Sequence, residues 1–424
     1  RPPVYGGAVK GFDEAAARAV AGVKRVHQLP QGKLPGGFQP LGGVAVIATN
    51  TWAAIQGRDA LAVRWDDGPN AVYDSETFRK GLEAEVARPG QVVAKLGDVD
   101  AAFAKAHRKI GASYYVPHLA HAPMEPMAAT AHYKDGTCEC WAPSQHPQAA
   151  RDTVAAALGI PVEQVTVHVT LLGGGFGRKS KPDFIAEAAL LSRAAGVPVR
   201  VQWTREDEIR HSYYHSVSAQ RLEASIDQGG RVTGWLHRTA FPTIASVFVP
   251  LLNRPMDPEL GMGVTDFPYV IPNRRAETGT GAAHVRIGWF RAVANIQHGF
   301  AINSFTAEIA TAAGRDHKAL LLELLGGAER AFEAPKWNYD GKAGVHPVDR
   351  DRLRAVIEKA TKEAGWGKSL PLGHGLGLAV HRSFLSYVAT VIHVAVDHEG
   401  NLTIPRVDMA IDCGFVANPD RVRA

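Results

Sequence analysis

Apolar positions recur along this chain with two periods, near 3.6 and near 2, and each switch between them marks an element boundary. Helical spacing predicts a helix over Phe12 to Val23. A strand over Gly43 to Ala48, a helix over Trp52 to Ala60 and a strand over Leu61 to Trp65 follow. The turn Asp66-Asp67-Gly68-Pro69 closes this first unit, because Asp, Gly and Pro punctuate regular structure. Residues 70 to 105 read as a mixed connector with two short helical stretches.

Strand-like segments resume at Ile110 and run to Trp141, followed by a helix over Pro147 to Leu158 and a strand over Val165 to Leu172. A glycine-rich loop comes next. Asp183 is the expected N-cap of a helix over Phe184 to Ala195, which Gly196-Val197-Pro198 stops, and a strand over Val199 to Trp203 returns. Alternation over Arg221 to Ile226 and Val232 to Phe241 predicts a long antiparallel sheet, and Ile296 to Ala313 a helix with one strongly apolar face. A third unit starts near Asp349. It holds a helix (Arg352 to Ala364), the glycine-rich segment Gly373 to Ala379, and strands over Tyr387 to Val396 and Leu402 to Ile411. Both halves pair a helix, a glycine-rich segment and long strands, as two related domains would.

At 424 residues the chain exceeds a single compact core. Its 43 glycines exceed the usual share of roughly seven per cent, which suits tight turns and loops that cradle a cofactor. The net charge of +5 is spread along the chain, so no nucleic-acid-binding stripe is formed. Three cysteines cannot build a disulfide framework; Cys138 and Cys140 share one face of a strand and read as core packing. No apolar run reaches membrane-spanning length and no signal peptide is visible; a chain that opens on Arg1 reads as an internal piece of something longer.

The richest local chemistry lies in Leu171-Leu172-Gly173-Gly174-Gly175-Phe176-Gly177-Arg178-Lys179-Ser180. Glycines let the backbone approach a ligand closely, and amides converging ahead of a helix favour an anionic or oxo-bearing guest. A P-loop and a dinucleotide fingerprint both fail at Arg178, where each requires glycine.

Several separated segments carry a family resemblance: His121-Ala122-Pro123-Met124-Glu125-Pro126, Pro143-Ser144-Gln145, Gly173 to Lys179, Trp289-Phe290-Arg291-Ala292-Val293, and Asp412-Cys413-Gly414 with Asn418-Pro419. In this order and at these separations the chain resembles the large, molybdopterin-binding subunit of the xanthine dehydrogenase and aldehyde oxidoreductase family. The branch it looks most like contains isoquinoline 1-oxidoreductase β subunits. The resemblance implies an α+β fold: a partial α/β hammerhead domain (residues 1–66), a connector (67–105), a first molybdenum-cofactor-binding domain (106–348) and the start of a second, incomplete one (349–424).

It further implies a molybdenum hydroxylase acting on an aldehyde or N-heteroaromatic substrate, with water as oxygen source. The cofactor would be molybdenum–molybdopterin cytosine dinucleotide with no protein ligand on the metal. By the same resemblance, Gln145 donates to the metal's oxo group, and the Phe176 and Gly177 amides sit against it, with Gly174 and Gly175 allowing the approach. Arg291 stabilises charge on the substrate, although Ala292 and Val293 stand where xanthine-oxidising relatives have glycines. Arg178 joins the cofactor-binding set, Glu125 gives structural support below the cofactor rather than acting as a catalytic base, and Gly375, Gly377 and Ser383 meet the cofactor pyrophosphate.

Electrons would pass to a separate subunit with two-iron, two-sulfur clusters, since no cysteine run here could hold them. The family's general base, a glutamate in a Gly-Glu motif beyond Asp412-Cys413-Gly414, has no counterpart before Ala424. The expectation is therefore a truncated or nicked chain, or a second chain that supplies the C-terminal part. By resemblance the protein is expected in the periplasm and not integral to the membrane. Two other readings compete: a non-catalytic binding or assembly protein on a hydroxylase-like scaffold, and a nicotinamide or flavin oxidoreductase. The broken fingerprint at Arg178 counts against the last.

Overall fold

The computed structural model describes residues 1–327, 339 and 345–423. Its first unit is small: β1 (Ala8–Gly11), α1 (Glu14–Ala19), β2 (Val23–Leu29), β3 (Gly43–Ala48), α2 (Thr51–Asp59) and β4 (Arg64–Asp66). Two antiparallel pairs, β1 with β4 and β2 with β3, carry both helices. The first helix is shorter than expected. Asp13 caps it, Val20 is already extended, and Gly22 turns at φ 92° into β2.

The expected connector holds α3 (Ser75–Ala87), β5 (Gln91–Leu96) and α4 (Val99–Ala104). It is more than a connector, because β5 pairs antiparallel with a strand from far downstream. The chain continues through β6 (Arg108–Val116), β7 (Ala128–Lys134), β8 (Thr137–Ala142), α5 (Pro147–Leu158), β9 (Val165–Val169), α6 (Asp183–Ala195), β10 (Val199–Gln202) and α7 (Arg205–Arg210). Then come β11 (Ser218–Ile226), β12 (Val232–Ala240), α8 (Asp257–Leu260), β13 (Asn273–Thr278), α9 (Asn295–Ala312) and α10 (His317–Leu325). The last described unit is α11 (Arg350–Ala364), β14 (His374–Ser383), β15 (Ser386–Val396) and β16 (Leu402–Asp412).

Two sheets form the body. One has the order β10-β7-β8-β9; α5 links β8 to its parallel neighbour β9, and α6 carries the chain back across the sheet to β10. Phe184, Ile185, Ala186, Ala188 and Ala189 of α6 are completely buried, and Cys138 and Cys140 pack in the same core. The other sheet, β5-β13-β12-β11-β6, is antiparallel except where β13 runs parallel to β12. Against it α9 is buried nearly all round rather than on one face, taking in the polar Gln297, His298, Asn303 and Thr306.

The unit beginning with α11 does not stand apart. Leu353, Val356 and Ile357 of α11 and Val380, Ala389 and Val391 of the three-stranded meander β14-β15-β16 share one core with Trp235 and Phe305. The fold is α+β, as the sequence predicts.

Candidate functional site

The glycine run forms the turn between β9 and α6. β9 ends at Val169, and Leu171 stands almost fully exposed where a strand was expected. Gly174 and Gly177 take φ of 86° and 103°, and Phe176 between them takes 54°, a left-handed value uncommon for an aromatic residue. The Glu125 carboxylate steadies the loop's entry, accepting from Gly173 N–H at 3.1 Å and from Lys179 Nζ at 2.5 Å. The Lys179 ammonium and the Gly173 N–H outweigh partial burial and hold that carboxyl below its ordinary value.

Gln145 is fixed from both ends. Its backbone N–H donates to Lys179 O at 3.0 Å, and its side-chain Oε1 accepts Gly177 N–H at 3.0 Å. The amide NH2 is therefore the end left to donate outward. A Cβ on Gly175 would overlap Gln145 Oε1, and one on Gly177 would overlap the Trp289 carbonyl. Gly177, at positive φ and against backbone, is required by close approach, whereas at Gly175 the Gln145 side chain would have to give way.

Beneath the loop the charges turn inward. Arg178, expected to meet a cofactor, is completely buried; its guanidinium makes two bonds to Asp183, at 2.9 and 3.0 Å, and one to Lys181 O. Arg286 donates to the same Asp183 carboxylate at 2.9 Å. Asp183, expected as an N-cap, is instead the first residue of α6 and the anchor of two buried guanidiniums. Burial alone would raise its carboxyl; Arg178 and Arg286 outweigh that and hold it below the ordinary value. The physical reason for both corrections is the same. A buried charge must be paired, and Arg178 finds its partner five residues on.

The segment Trp289–Val293 closes over the loop. Arg291 N–H donates to Phe176 O at 2.8 Å, and the Arg291 guanidinium lies 5.3 Å from the centre of the Phe176 ring. Ala292 and Val293 take φ of 76° and 51°, and the β-branched Val293 is a true outlier there. His121 Nε2 lies 3.1 Å from Trp289 O, and burial, with Lys181 nearby, pushes its imidazole down to about 3. Lys181 is completely buried, and burial beside Arg178 pushes its amine well below the ordinary value.

Gln145, the glycine loop with the Phe176 ring, and Arg291 are thus gathered on one face, with Gln145, Phe176 and Arg291 all exposed. The N–H groups of Gly174, Gly175 and Phe176 meet no protein acceptor among the described residues, whereas Gly177 N–H is engaged by Gln145. Gly375 and Gly377 are elsewhere. They lie within β14, paired with Val394 and Ile392 of β15, because the ladder overrides the glycines' preference for loops. Ser383 ends that strand, at a hairpin whose Phe384 and Leu385 are left-handed. His381 ties this strand to the start of α9 through Asn295 Oδ1 at 2.8 Å.

Sequence reasoning missed Lys181, Ser180 and the Trp289 side chain as parts of the site's frame. Nothing in a lysine beside Pro182 signals complete burial, since lysines are almost always exposed. Among the described residues no group of three or more His, Cys, Asp or Glu could hold a metal ion, so a metal at this loop would bring its own ligands.

The molybdopterin cofactor-binding domain family matches residues 84–322. The chain is 29% identical over 440 residues to isoquinoline 1-oxidoreductase subunit beta of Brevundimonas diminuta, covering all of this chain and 52% of that protein. It is 30% identical over 449 residues to a membrane-bound aldehyde dehydrogenase of Gluconacetobacter polyoxogenes, named for pyrroloquinoline quinone, covering all of this chain and 55% of that protein. Quinoline 2-oxidoreductase from Pseudomonas putida 86 superposes with a TM-score of 0.65 at 22% identity, over 95% of this chain and 57% of that one, a likeness of fold. The chain therefore spans about half the length of the relatives it matches. Among the described residues no helix is long and apolar enough to cross a membrane.

Proposed function

The chain belongs to the molybdopterin cofactor-binding family, and from that premise we propose that it is the cofactor-cradling part of a molybdenum hydroxylase that oxidises an aldehyde or an N-heteroaromatic compound. The observation that carries the reading is the disposition of Gln145. Its Oε1 is occupied by Gly177 N–H, which leaves the NH2 of this exposed side chain to donate, on a loop where the N–H groups of Gly174, Gly175 and Phe176 meet no protein acceptor among the described residues.

Donors without a protein acceptor, beside glycines that bring the backbone close, suit an acceptor-rich cofactor whose metal needs no protein ligand. Gly174, Gly175 and Phe176 would hold it through their N–H groups and Gln145 through its amide NH2. When bound, the cofactor supplies the two-electron redox centre. The chain's own residues bind and orient: the Phe176 ring, partly exposed, offers an apolar wall, and Arg291 beside it offsets negative charge on a substrate oxygen or ring nitrogen.

Among the described residues no carboxylate at the loop is placed to act as general base. Glu125 is bound to Gly173 and Lys179, and Asp183 to two arginines. The base would come from the part of the relatives that this chain does not span. We further propose the cytosine dinucleotide form of the cofactor. The Ser383 hairpin, rather than Gly375 and Gly377, would approach its pyrophosphate. An iron–sulfur partner would take the electrons, and the periplasm would be the site of action.

Turnover of an aldehyde and of an N-heterocycle in 18O-labelled water, with a dye as electron acceptor, tests this. The expected product carries the label from water and needs no nicotinamide. Label from dioxygen, or a strict requirement for a nicotinamide, would overturn it.

A further inference from the structure

We propose that Lys181 is a positioning residue: its buried amine clamps the glycine loop to the Trp289–Val293 turn, so that Gln145 and Arg291 keep a fixed spacing. Two of the candidate groups sit on different segments, 145 and 291 in the sequence, and the contact between the loop and the turn joins their supports. Lys181 Nζ bonds the carbonyls of both, Gly177 O at 2.7 Å and Trp289 O at 2.9 Å, with the Trp289 ring 4.0 Å away.

The neighbouring Ser180 makes the same link with its hydroxyl. It donates to Gly177 O at 2.6 Å and accepts Trp289 Nε1–H at 2.7 Å. Each bridged carbonyl thus has both lone pairs engaged: Gly177 O by Ser180 and Lys181, and Trp289 O by Lys181 and His121. A third strut runs from Arg291 N–H to Phe176 O. The backbones are so close that Gly177 admits no Cβ.

A methionine would fill the same space without the cost of burying an amine, so the amine is explained by what it bonds. What it bonds is the junction of two segments that both hold non-glycine residues in left-handed conformations: Phe176 on one side, Ala292 and Val293 on the other. Such residues persist only where their surroundings over-determine them. The clamp supplies that constraint.

The consequence for turnover rests on the function proposed above; the clamp itself does not. Native-state hydrogen exchange on the purified protein, with any co-purifying partner kept, reads it directly. In Lys181→Met, amides in 173–180 and in 287–293 should exchange about tenfold faster together, while β14–β16 stays unchanged. Turnover per bound molybdenum should fall by about the same factor. Ser180→Ala should raise exchange in both segments about threefold, and it decides the matter by the same criterion if Lys181→Met does not fold. Faster exchange in one segment alone, a uniform rise over the whole chain, or no change would overturn the clamp. Wild-type protein without molybdenum would instead overturn the functional reading, with the exchange result still deciding the clamp.

Discussion

The sheet that carries the glycine loop and the meander β14-β15-β16 are built from similar parts, yet they meet solvent differently. Around the loop, charge goes inside and is paired. Arg178 and Arg286 are almost completely buried, and both bond the equally buried Asp183 carboxylate. In the meander, one face joins the common core and the other is apolar and open. Val407, Met409 and Ile411 of β16 are 52%, 64% and 47% exposed, next to Ile392 and Thr390 of β15. At its edge lies the partly exposed ion pair Arg352–Asp412. The contrast separates two jobs. The loop region spends buried charge on fixing backbone carbonyls and amides, whereas the meander supplies area.

The largest test of this contrast removes a carboxylate from each region. Asp183→Asn leaves two buried guanidiniums without their counter-charge and should cost about 3–5 kcal/mol, read from the urea midpoint. Asp412→Asn removes a partner of a solvent-screened pair and should cost about 1 kcal/mol or less. Equal losses would erase the distinction.

Gly177→Ala should come next, at about 1–3 kcal/mol, because alanine is strained at φ 103° and its Cβ meets the Trp289 carbonyl. Acid should weaken the body as well. Burial pushes the imidazoles of His121 and His298 down to about 3 and those of His215 and His381 to about 4. These histidines stay neutral when folded and take up protons when unfolded below about pH 6.5. The unfolded state then binds more protons, so stability falls as pH drops from 6.5 towards 4, by about 1 kcal/mol per unit or more. Denaturation midpoints at successive pH values give the slope, and a flat profile would contradict the burial of these rings. The smallest effect belongs to the open face. Met409→Lys should change stability by no more than about 0.5 kcal/mol, read from the urea midpoint.

Local signals were legible where the chain's own chemistry sets a boundary. The helix Pro147–Leu158 begins with proline at its first position and ends at left-handed Gly159, and it stands where the sequence predicts. The strand Gly43–Ala48 matches as well. What was hidden depends on partners distant in sequence. Asp183 could not be told from a helix cap without Arg286, 103 residues away. The glycine-rich segment 373–379 carries no strand alternation of its own, and pairing with β15 makes it strand. The order of family segments pointed to Gln145 and Arg291, which the fold gathers on one face, but nothing pointed to the Lys181 bridge between their supports, because burial of a lysine leaves no mark in the sequence.

The most direct measurement is the molybdenum and pterin content of the protein purified from a host that makes the cofactor, with partner chains retained. About one molybdenum and one pterin per chain are expected, both lost together in Gly177→Ala if, as proposed, the loop holds the pterin and the pterin the metal. A folded wild-type protein that carries neither, or that carries pyrroloquinoline quinone in their place, would contradict it.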